Sequence, residues 1–105
     1  MSKYFLIEAR SPFDSAEVNN NYQLARDLAQ SGHETTLFLI ENGVFAARQA
    51  AQGTFGDLSA VKVVADEFSL RERGIGPDEV SPAIALGGVG DLVDAMAEGQ
   101  KTMWL

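Results

Sequence analysis

Short apolar runs alternate along this chain with longer segments whose apolar residues recur at helical spacing. The runs that favour β-strands cover residues 3–9, 34–40, 61–65, 84–86 and 101–105. Strands that alternate with helices are typical of α/β proteins with a parallel sheet. The first run is almost wholly apolar, as in a strand that is covered on both faces. The sequence therefore predicts an α/β fold with a four- or five-stranded, mainly parallel sheet and helices on both faces.

Helices are predicted between these runs, over residues 14–31, 44–52, 67–73 and 88–98. Asp14 and Glu17 have the spacing of a capping box at the start of the first helix, and Asp66 is placed to cap the third. The last helix carries an apolar stripe formed by Val89, Leu92, Val93 and Met96. Such stripes are apolar enough to cover a sheet. Right-handed crossovers would then give a small, doubly wound, flavodoxin-like domain over residues 1–105.

The 105 residues include no cysteine and one histidine, and the net charge is −7. A single domain accounts for this length, since domains mostly have about 100–150 residues. A chain without cysteine has no disulfide, thiolate nucleophile, iron–sulfur cluster or Cys-based zinc site. The acidic charge has the wrong sign for binding a phosphate backbone. We therefore expect no nucleic-acid partner, no cofactor and no resident metal ion.

The first residues, Met1-Ser2-Lys3, lead directly into an apolar strand-like run. A secretory signal would have a basic stretch, a longer apolar stretch and a cleavage site of small residues. The apolar runs are also far shorter than the ~20 residues that a membrane helix needs. We therefore expect a cytoplasmic protein without a membrane partner.

Ligands of parallel α/β sheets bind beyond the carboxyl ends of the strands. Applied to the predicted strands, that rule selects eight candidate ligand-binding residues: Arg10, Ser11, Glu41, Asn42, Asp66, Ser69, Gly87 and Gly88. The single histidine, His33, precedes the second strand and should lie at the opposite edge of the sheet. Since no candidate serine has a histidine partner, the sequence identifies no catalytic residue.

Two pairs of these candidates have both a binding and a structural interpretation. Gly87 and Gly88 open the last helix, where they could present backbone N–H groups to an anion or simply form a tight turn. Arg10 with Ser11 could bind a small anion, or Arg10 could pair with a nearby acid in a surface loop.

The acidic candidates leave a similar choice open. Asp66 and Glu67, with Glu41 near by, could form a carboxylate cluster for a divalent metal or for acid–base chemistry. The alternative is that Asp66 caps the third helix and Glu67 lies in its solvated first turn.

Several stretches together resemble the DsrE/DsrF-like family of small α/β proteins. They are the first strand at 3–7, the helix end at 29–34, the second strand and turn at 36–44, and the segment at 70–75 that contains Arg73-Gly74-Ile75. The glycine-led helix and short strand at the end of the chain also match. The resemblance covers nearly the whole chain and rests on the order and spacing of these motifs.

The resemblance implies a parallel sheet between helices and assembly into homo- or hetero-oligomers, often trimers or hexamers. The best-understood members of that family relay sulfur as a persulfide on a cysteine after the third strand. Counted back from Arg73, Asp66 and Ser69 stand where cysteines would be expected. Neither side chain can carry a persulfide, which makes sulfurtransferase activity doubtful.

Together with the absence of cysteine, the resemblance implies a non-catalytic oligomeric subunit or interaction module linked to sulfur metabolism. Its partner would be a second copy or a related subunit, with Phe45, Phe55 and Trp104 forming an apolar interface patch. An alternative is a protein that binds a small anion, a metabolite or a metal ion at the carboxyl edge of the sheet. An enzyme with Asp66 or Glu41 as general base is a third interpretation.

Overall fold

The computed structural model describes residues 2–105, apart from the side chains of Gln52 and Thr54. The strands are β1 (Lys3–Glu8), β2 (Glu34–Leu39), β3 (Lys62–Asp66), β4 (Ala85–Gly87) and β5 (Lys101–Trp104). They form one sheet in the order β4-β3-β2-β1-β5, and every pairing between neighbours is parallel. The predicted parallel α/β fold is confirmed, with five strands.

Three α-helices accompany the sheet: α1 (Glu17–Gln30), α2 (Glu67–Glu72) and α3 (Val89–Ala97). Three 3-10 segments lie at Glu41–Ala47, Gln49–Thr54 and Pro77–Glu79. From β1 to β4 the chain adds strands in one direction, and the connection through α3 then returns to the far edge. Right-handed crossovers place forward and returning connections on opposite faces. Helices therefore cover both faces of the sheet. No helix of the described residues is long and apolar enough to cross a membrane.

The α1 face of the sheet has the larger core. Strand residues that contribute to it include Leu6, Leu37, Leu39, Val63 and Ala65. Side chains from α1, α2 and the 3-10 segments pack over them, among them Val18, Tyr22, Ala25, Val44, Ala47 and Leu70. Because successive strand residues point to opposite faces, their neighbours face the other way.

The α3 face has a smaller core. It consists of Phe5, Ile7, Phe38, Val64 and Ala95, with Ile40 and Leu92 packed against it. Ala95 is the single buried residue that α3 supplies. The predicted apolar stripe of this helix therefore does not cover the sheet as expected. Leu92 is half-buried, whereas Val89, Val93 and Met96 are exposed.

The predicted start of the first helix is wrong by about three residues. The backbone N–H groups of Asp14 and Ser15 both donate to the Ser11 carbonyl, at 3.1 Å each, and form a turn. Ala16 then occupies the N-cap of α1, without a side-chain hydrogen bond. Asp14 is not the cap, because it belongs to this turn and α1 begins only at Glu17.

The helix predicted over residues 44–52 is replaced by two 3-10 segments with Arg48 in extended conformation between them. Two long-range contacts explain the break: Arg48 forms an isolated antiparallel bridge with Val80, and the Ser81 N–H donates to the Ala47 carbonyl at 2.9 Å. At the start of this region Gly43 passes close to β1. A Cβ added there would lie 2.2 Å from the Glu8 carbonyl oxygen, so only glycine fits.

Candidate functional site

The carboxyl ends of β1 to β4 lie side by side, and the structure divides the eight predicted residues into two groups. Arg10 and Ser11 follow β1 and belong to a cluster around Glu8. The other six candidates follow β2, β3 and β4 and lie around α2. His33 lies at the opposite edge, as predicted, where its Nδ1 accepts a hydrogen bond from the Ser2 N–H at 3.2 Å.

Glu8, the last residue of β1, is fully buried. Its Oε1 accepts a hydrogen bond from Asn21 Nδ2 at 2.6 Å, and its Oε2 accepts one from the Arg10 N–H at 3.0 Å. A buried carboxylate needs such partners because removing a charge from water is costly. Neither Glu8 nor Asn21 is among the residues predicted from the sequence. The available signal was an acid that ends an otherwise apolar strand.

Arg10 is shared between two carboxylates. Its Nη1 donates to Glu17 Oε2 at 2.8 Å, and its Nε lies 3.5 Å from Glu8 Oε2. The hydrogen bond to Glu17 and then the charge of Glu8 raise the pKa of the Arg10 guanidinium. Ser11 is buried, and its Oγ accepts a hydrogen bond from the Phe13 N–H at 3.1 Å. In this cluster Arg10 pairs internally and Ser11 shapes the turn.

Tyr22 packs beneath the same cluster, from α1. Its ring lies 4.8 Å from that of Phe55, centroid to centroid, and its hydroxyl is buried with no hydrogen-bond partner among the described residues. Burial raises the pKa of the Tyr22 hydroxyl, and the charge of Glu8 raises it further. Tyr22 is therefore held neutral next to a buried carboxylate.

Asp66 and Ser69 form the centre of the second group, and both are buried. Asp66 Oδ2 accepts hydrogen bonds from the Ser69 N–H at 3.0 Å and from Ser69 Oγ at 2.6 Å. Ser69 Oγ in turn accepts one from the Glu41 N–H at 2.9 Å. The predicted helix cap at Asp66 is confirmed. These bonds occupy the serine hydroxyl as both donor and acceptor.

Asn42 and Glu41 join this group through the end of α2. Arg73 Nε donates to Asn42 Oδ1 at 3.0 Å, and Arg73 Nη1 donates to the Ser69 carbonyl at 3.2 Å. Glu41 has a φ of 52°, a left-handed conformation that is uncommon outside glycine. That conformation accompanies the bond from its N–H to Ser69, and the Glu41 side chain is exposed.

Gly87 and Gly88 lie where β4 turns into α3. The Gly88 N–H donates to Asp91 Oδ2 at 2.9 Å. A Cβ added at Gly87 would lie 2.2 Å from the same oxygen and 2.7 Å from Val64 Cγ1. Glycine is needed for this close turn, and the carboxylate of Asp91 already occupies the start of the helix.

The edge residues do not gather into a metal site. Among the residues that the structure describes, no three His, Asp or Glu side chains converge in a way that would hold a metal ion. A cavity of about 450 Å³ lies elsewhere, near the amino-terminal end of β3. It is lined by apolar residues that include Phe55, Leu58, Val61 and Ile84. None of the eight predicted residues lines it.

An exposed apolar surface, which we call the α3 ridge, consists of Val89, Val93, Met96 and Trp104. These side chains are between 52% and 62% exposed. The three helical residues are spaced i, i+4 and i+7 and so lie on one side of α3. Trp104 is in register with Ile7, whose side chain belongs to the α3-face core, so Trp104 points to the same face.

The predicted apolar patch of three aromatic residues is only partly correct. Trp104 is exposed, but Phe55 is buried against Tyr22 and Phe45 is half-buried against the α1-face core. The opposite side of α3 is acidic. Asp91, Asp94 and Glu98 line a groove of about 240 Å³ together with Phe5, Thr36, Lys62 and others.

Solved structures with this fold include the three that follow. The ychN protein from E. coli is 21% identical, with a TM-score of 0.88 and complete coverage of both chains. MTH1491 from Methanobacterium thermoautotrophicum is 20% identical, with a TM-score of 0.82, over 99% of this chain and 98% of that one. BT1422 from Bacteroides thetaiotaomicron is 14% identical, with a TM-score of 0.73, over 97% and 94%. The last two are described as proteins of unknown function.

No curated protein matches the chain. The family model that does match is described as DsrE/DsrF-like, and it covers residues 2–105. This match extends over every strand and helix described above. It agrees with the resemblance found in the sequence motifs, and the three neighbours above have the same overall fold. The chain therefore belongs to the DsrE/DsrF-like family.

Proposed function

We propose that this protein is a non-catalytic, oligomeric subunit or interaction module linked to sulfur metabolism. The observation that carries the proposal is the α3 ridge, an apolar surface that remains exposed on a chain that matches its family model from residue 2 to residue 105. Large apolar side chains that are grouped on a surface are typical of protein–protein interfaces. The partner is a second copy or a related subunit, in a trimer, a hexamer or a hetero-oligomer.

The chemistry at the start of α2 supports a role without sulfur transfer. A persulfide requires a sulfur nucleophile, and the sequence contains no cysteine. Asp66 and Ser69 stand where the family resemblance places the relay cysteine, and they have oxygen in place of sulfur. Their hydrogen bonds to each other and to the Glu41 N–H give them a structural role as a helix cap.

Several further parts of the proposal rest on charge and sequence. The net charge of −7 disfavours nucleic acid and anionic membrane as partners. A cytoplasmic location fits this role and remains part of the proposal. The alternative, a ligand site at the carboxyl edge, receives less support at Arg10 and Asp66 because both side chains are engaged by neighbours.

Native mass spectrometry of the protein purified from its own cells tests the proposal. We expect an oligomer, either of this chain alone or with a cysteine-bearing relative. Val93→Asp should dissociate it, because a charge would be placed in the centre of the α3 ridge. Asp94→Asn is the matched control, since it changes the acidic side of the same helix and should leave the assembly intact.

Two results would contradict the proposal. The first is a strict monomer with no partner at micromolar concentration. The second is turnover of a sulfur donor by the pure protein, which would show that this chain has its own activity. An oligomer that Val93→Asp leaves unchanged would move the interface away from the α3 ridge.

A further inference from the structure

Arg48 contacts two aromatic rings at the carboxyl edge of the sheet. Its Cζ is 5.6 Å from the ring centroid of Phe13 and 5.2 Å from that of Phe45. Phe13 belongs to the turn after β1, and Phe45 belongs to the 3-10 segment after β2. The guanidinium is therefore at the side of the sheet where parallel α/β folds bind their ligands.

Several contacts hold this arginine in place. Its Nε donates to the Phe45 carbonyl at 3.0 Å, and its backbone bridges to Val80. Cation–π contacts with the two rings fix the position of the guanidinium group further. An arginine that is held in this way loses little conformational freedom when a ligand binds, which favours binding.

The charge of Arg48 is uncompensated, unlike that of its neighbours at this edge. Arg10 is paired with Glu8 and Glu17, and Arg73 contacts Asn42 and Glu72. Among the residues that the structure describes, no carboxylate pairs with Arg48, although the chain contains 15 acidic residues. Nη1 and Nη2 of Arg48 donate no hydrogen bond to any described residue.

We propose that Arg48 is the binding residue of a small oxyanion site, for a carboxylate or a phosphate group. The two terminal nitrogens form a planar fork whose spacing matches the two oxygens of such a group. Phe13 is 57% exposed and supplies an apolar wall beside the anion. This site goes beyond the proposed assembly role and is separate from the residues that the sequence analysis selected.

Titration of isotope-labelled protein with inorganic phosphate, followed by NMR at constant ionic strength, tests this site. We expect a saturable shift of the Arg48 Nε–H resonance. Arg48→Gln should weaken phosphate binding about ten-fold or more, because a charge-assisted, two-point contact is lost. Arg71→Gln is the matched control, since Arg71 is an exposed arginine on α2 and the net charge changes equally. We expect it to bind phosphate as the unaltered protein does.

Arg48→Lys tests whether binding needs the planar guanidinium group or only a positive charge. It also replaces Arg48→Gln as the test if that variant fails to fold. It keeps the positive charge, so we expect affinity between those of the unaltered protein and Arg48→Gln. A parallel titration with acetate distinguishes a carboxylate from a phosphate ligand. The proposal is overturned if phosphate and acetate both shift no Arg48 resonance. If Arg48→Lys binds phosphate as tightly as the unaltered protein does, recognition by the planar guanidinium group is overturned. If Arg71→Gln loses as much affinity for phosphate as Arg48→Gln does, the binding depends only on net charge and the proposed site is overturned.

Discussion

The two faces of the sheet are covered to different extents. On the α1 face, one long helix, α2 and the 3-10 segments bury side chains from all parts of the chain. On the α3 face, one nine-residue helix contributes a single buried residue, Ala95, and its larger apolar side chains remain exposed. A face with so little cover is stable in water only when its remaining apolar area is small or is covered by another chain. The α1 face therefore contributes most of the buried core, and the α3 face is the one on which we propose that a partner binds.

The largest effect should follow from a substitution in the α1-face core. Leu37 is fully buried, and Leu37→Ala should lower the free energy of unfolding by about 2–5 kcal/mol, since it removes apolar contacts and leaves a cavity. Urea denaturation of both proteins measures this. Val93→Ala is the control on the exposed side of α3, where we expect a change within about 0.5 kcal/mol for the isolated protomer. If both substitutions lowered the free energy of unfolding equally, the two faces would not differ in their contribution to stability.

A smaller effect should distinguish the helix starts of the two faces. Asp66 is buried and caps α2 through two hydrogen bonds, so Asp66→Ala should lower the free energy of unfolding by about 1–2 kcal/mol. Asp91 is exposed and accepts one hydrogen bond from the Gly88 N–H at the start of α3, so Asp91→Ala should change the free energy of unfolding by no more than about 0.5 kcal/mol. Thermal unfolding measures both variants. A larger loss for Asp91→Ala would show that the α3 face depends on its cap more than its contacts suggest.

The smallest effect at neutral pH is expected at Tyr22. Its buried hydroxyl has no partner among the described residues, so Tyr22→Phe should leave stability unchanged or raise it by up to about 1 kcal/mol. The folded protein raises the pKa of this hydroxyl, so above pH ~10 the unfolded chain loses the proton first. Stability should therefore fall as the pH rises above ~10.

Tyr22→Phe removes that alkaline loss, which chemical denaturation between pH 7 and 11 would measure. Tyr4→Phe is the matched control, because it removes a phenol hydroxyl outside the Glu8 cluster. If both variants keep the same alkaline loss as the unaltered protein, Tyr22 does not cause it. A strongly destabilised Tyr22→Phe at pH 7 would show that its hydroxyl has a partner in solution.

Local patterns predicted much of the fold correctly. All five strands lie close to their predicted positions. The three inner strands, β1 to β3, have the clearest pattern, because a strand covered on both faces needs a continuous apolar run. The cap at Asp66 was also predictable, since it depends on residues only three positions apart. The same kind of argument failed at Asp14, where a turn around the Ser11 carbonyl comes before the helix.

The site depended on contacts that no local pattern contains. Glu8 is joined to Asn21 across thirteen positions, and Glu41 to Ser69 across twenty-eight. Arg48 lies within a segment for which the sequence predicts a helix, yet its contact with the ring of Phe13 spans thirty-five positions. Sequence spacing does not show which of several arginines pairs with no carboxylate.

The class of fold, the approximate positions of the strands, the acidic charge and the absence of a sulfur nucleophile could all be predicted from the amino-acid sequence, which left four or five strands open. These follow from composition and from the periods of strands and helices, which are local properties. The side of α3 that faces the sheet, and the polar groups that are buried together, depend on tertiary packing. An apolar stripe shows that a helix has an apolar side, but the chain path and the packing over the strands decide whether that side meets the core or the solvent.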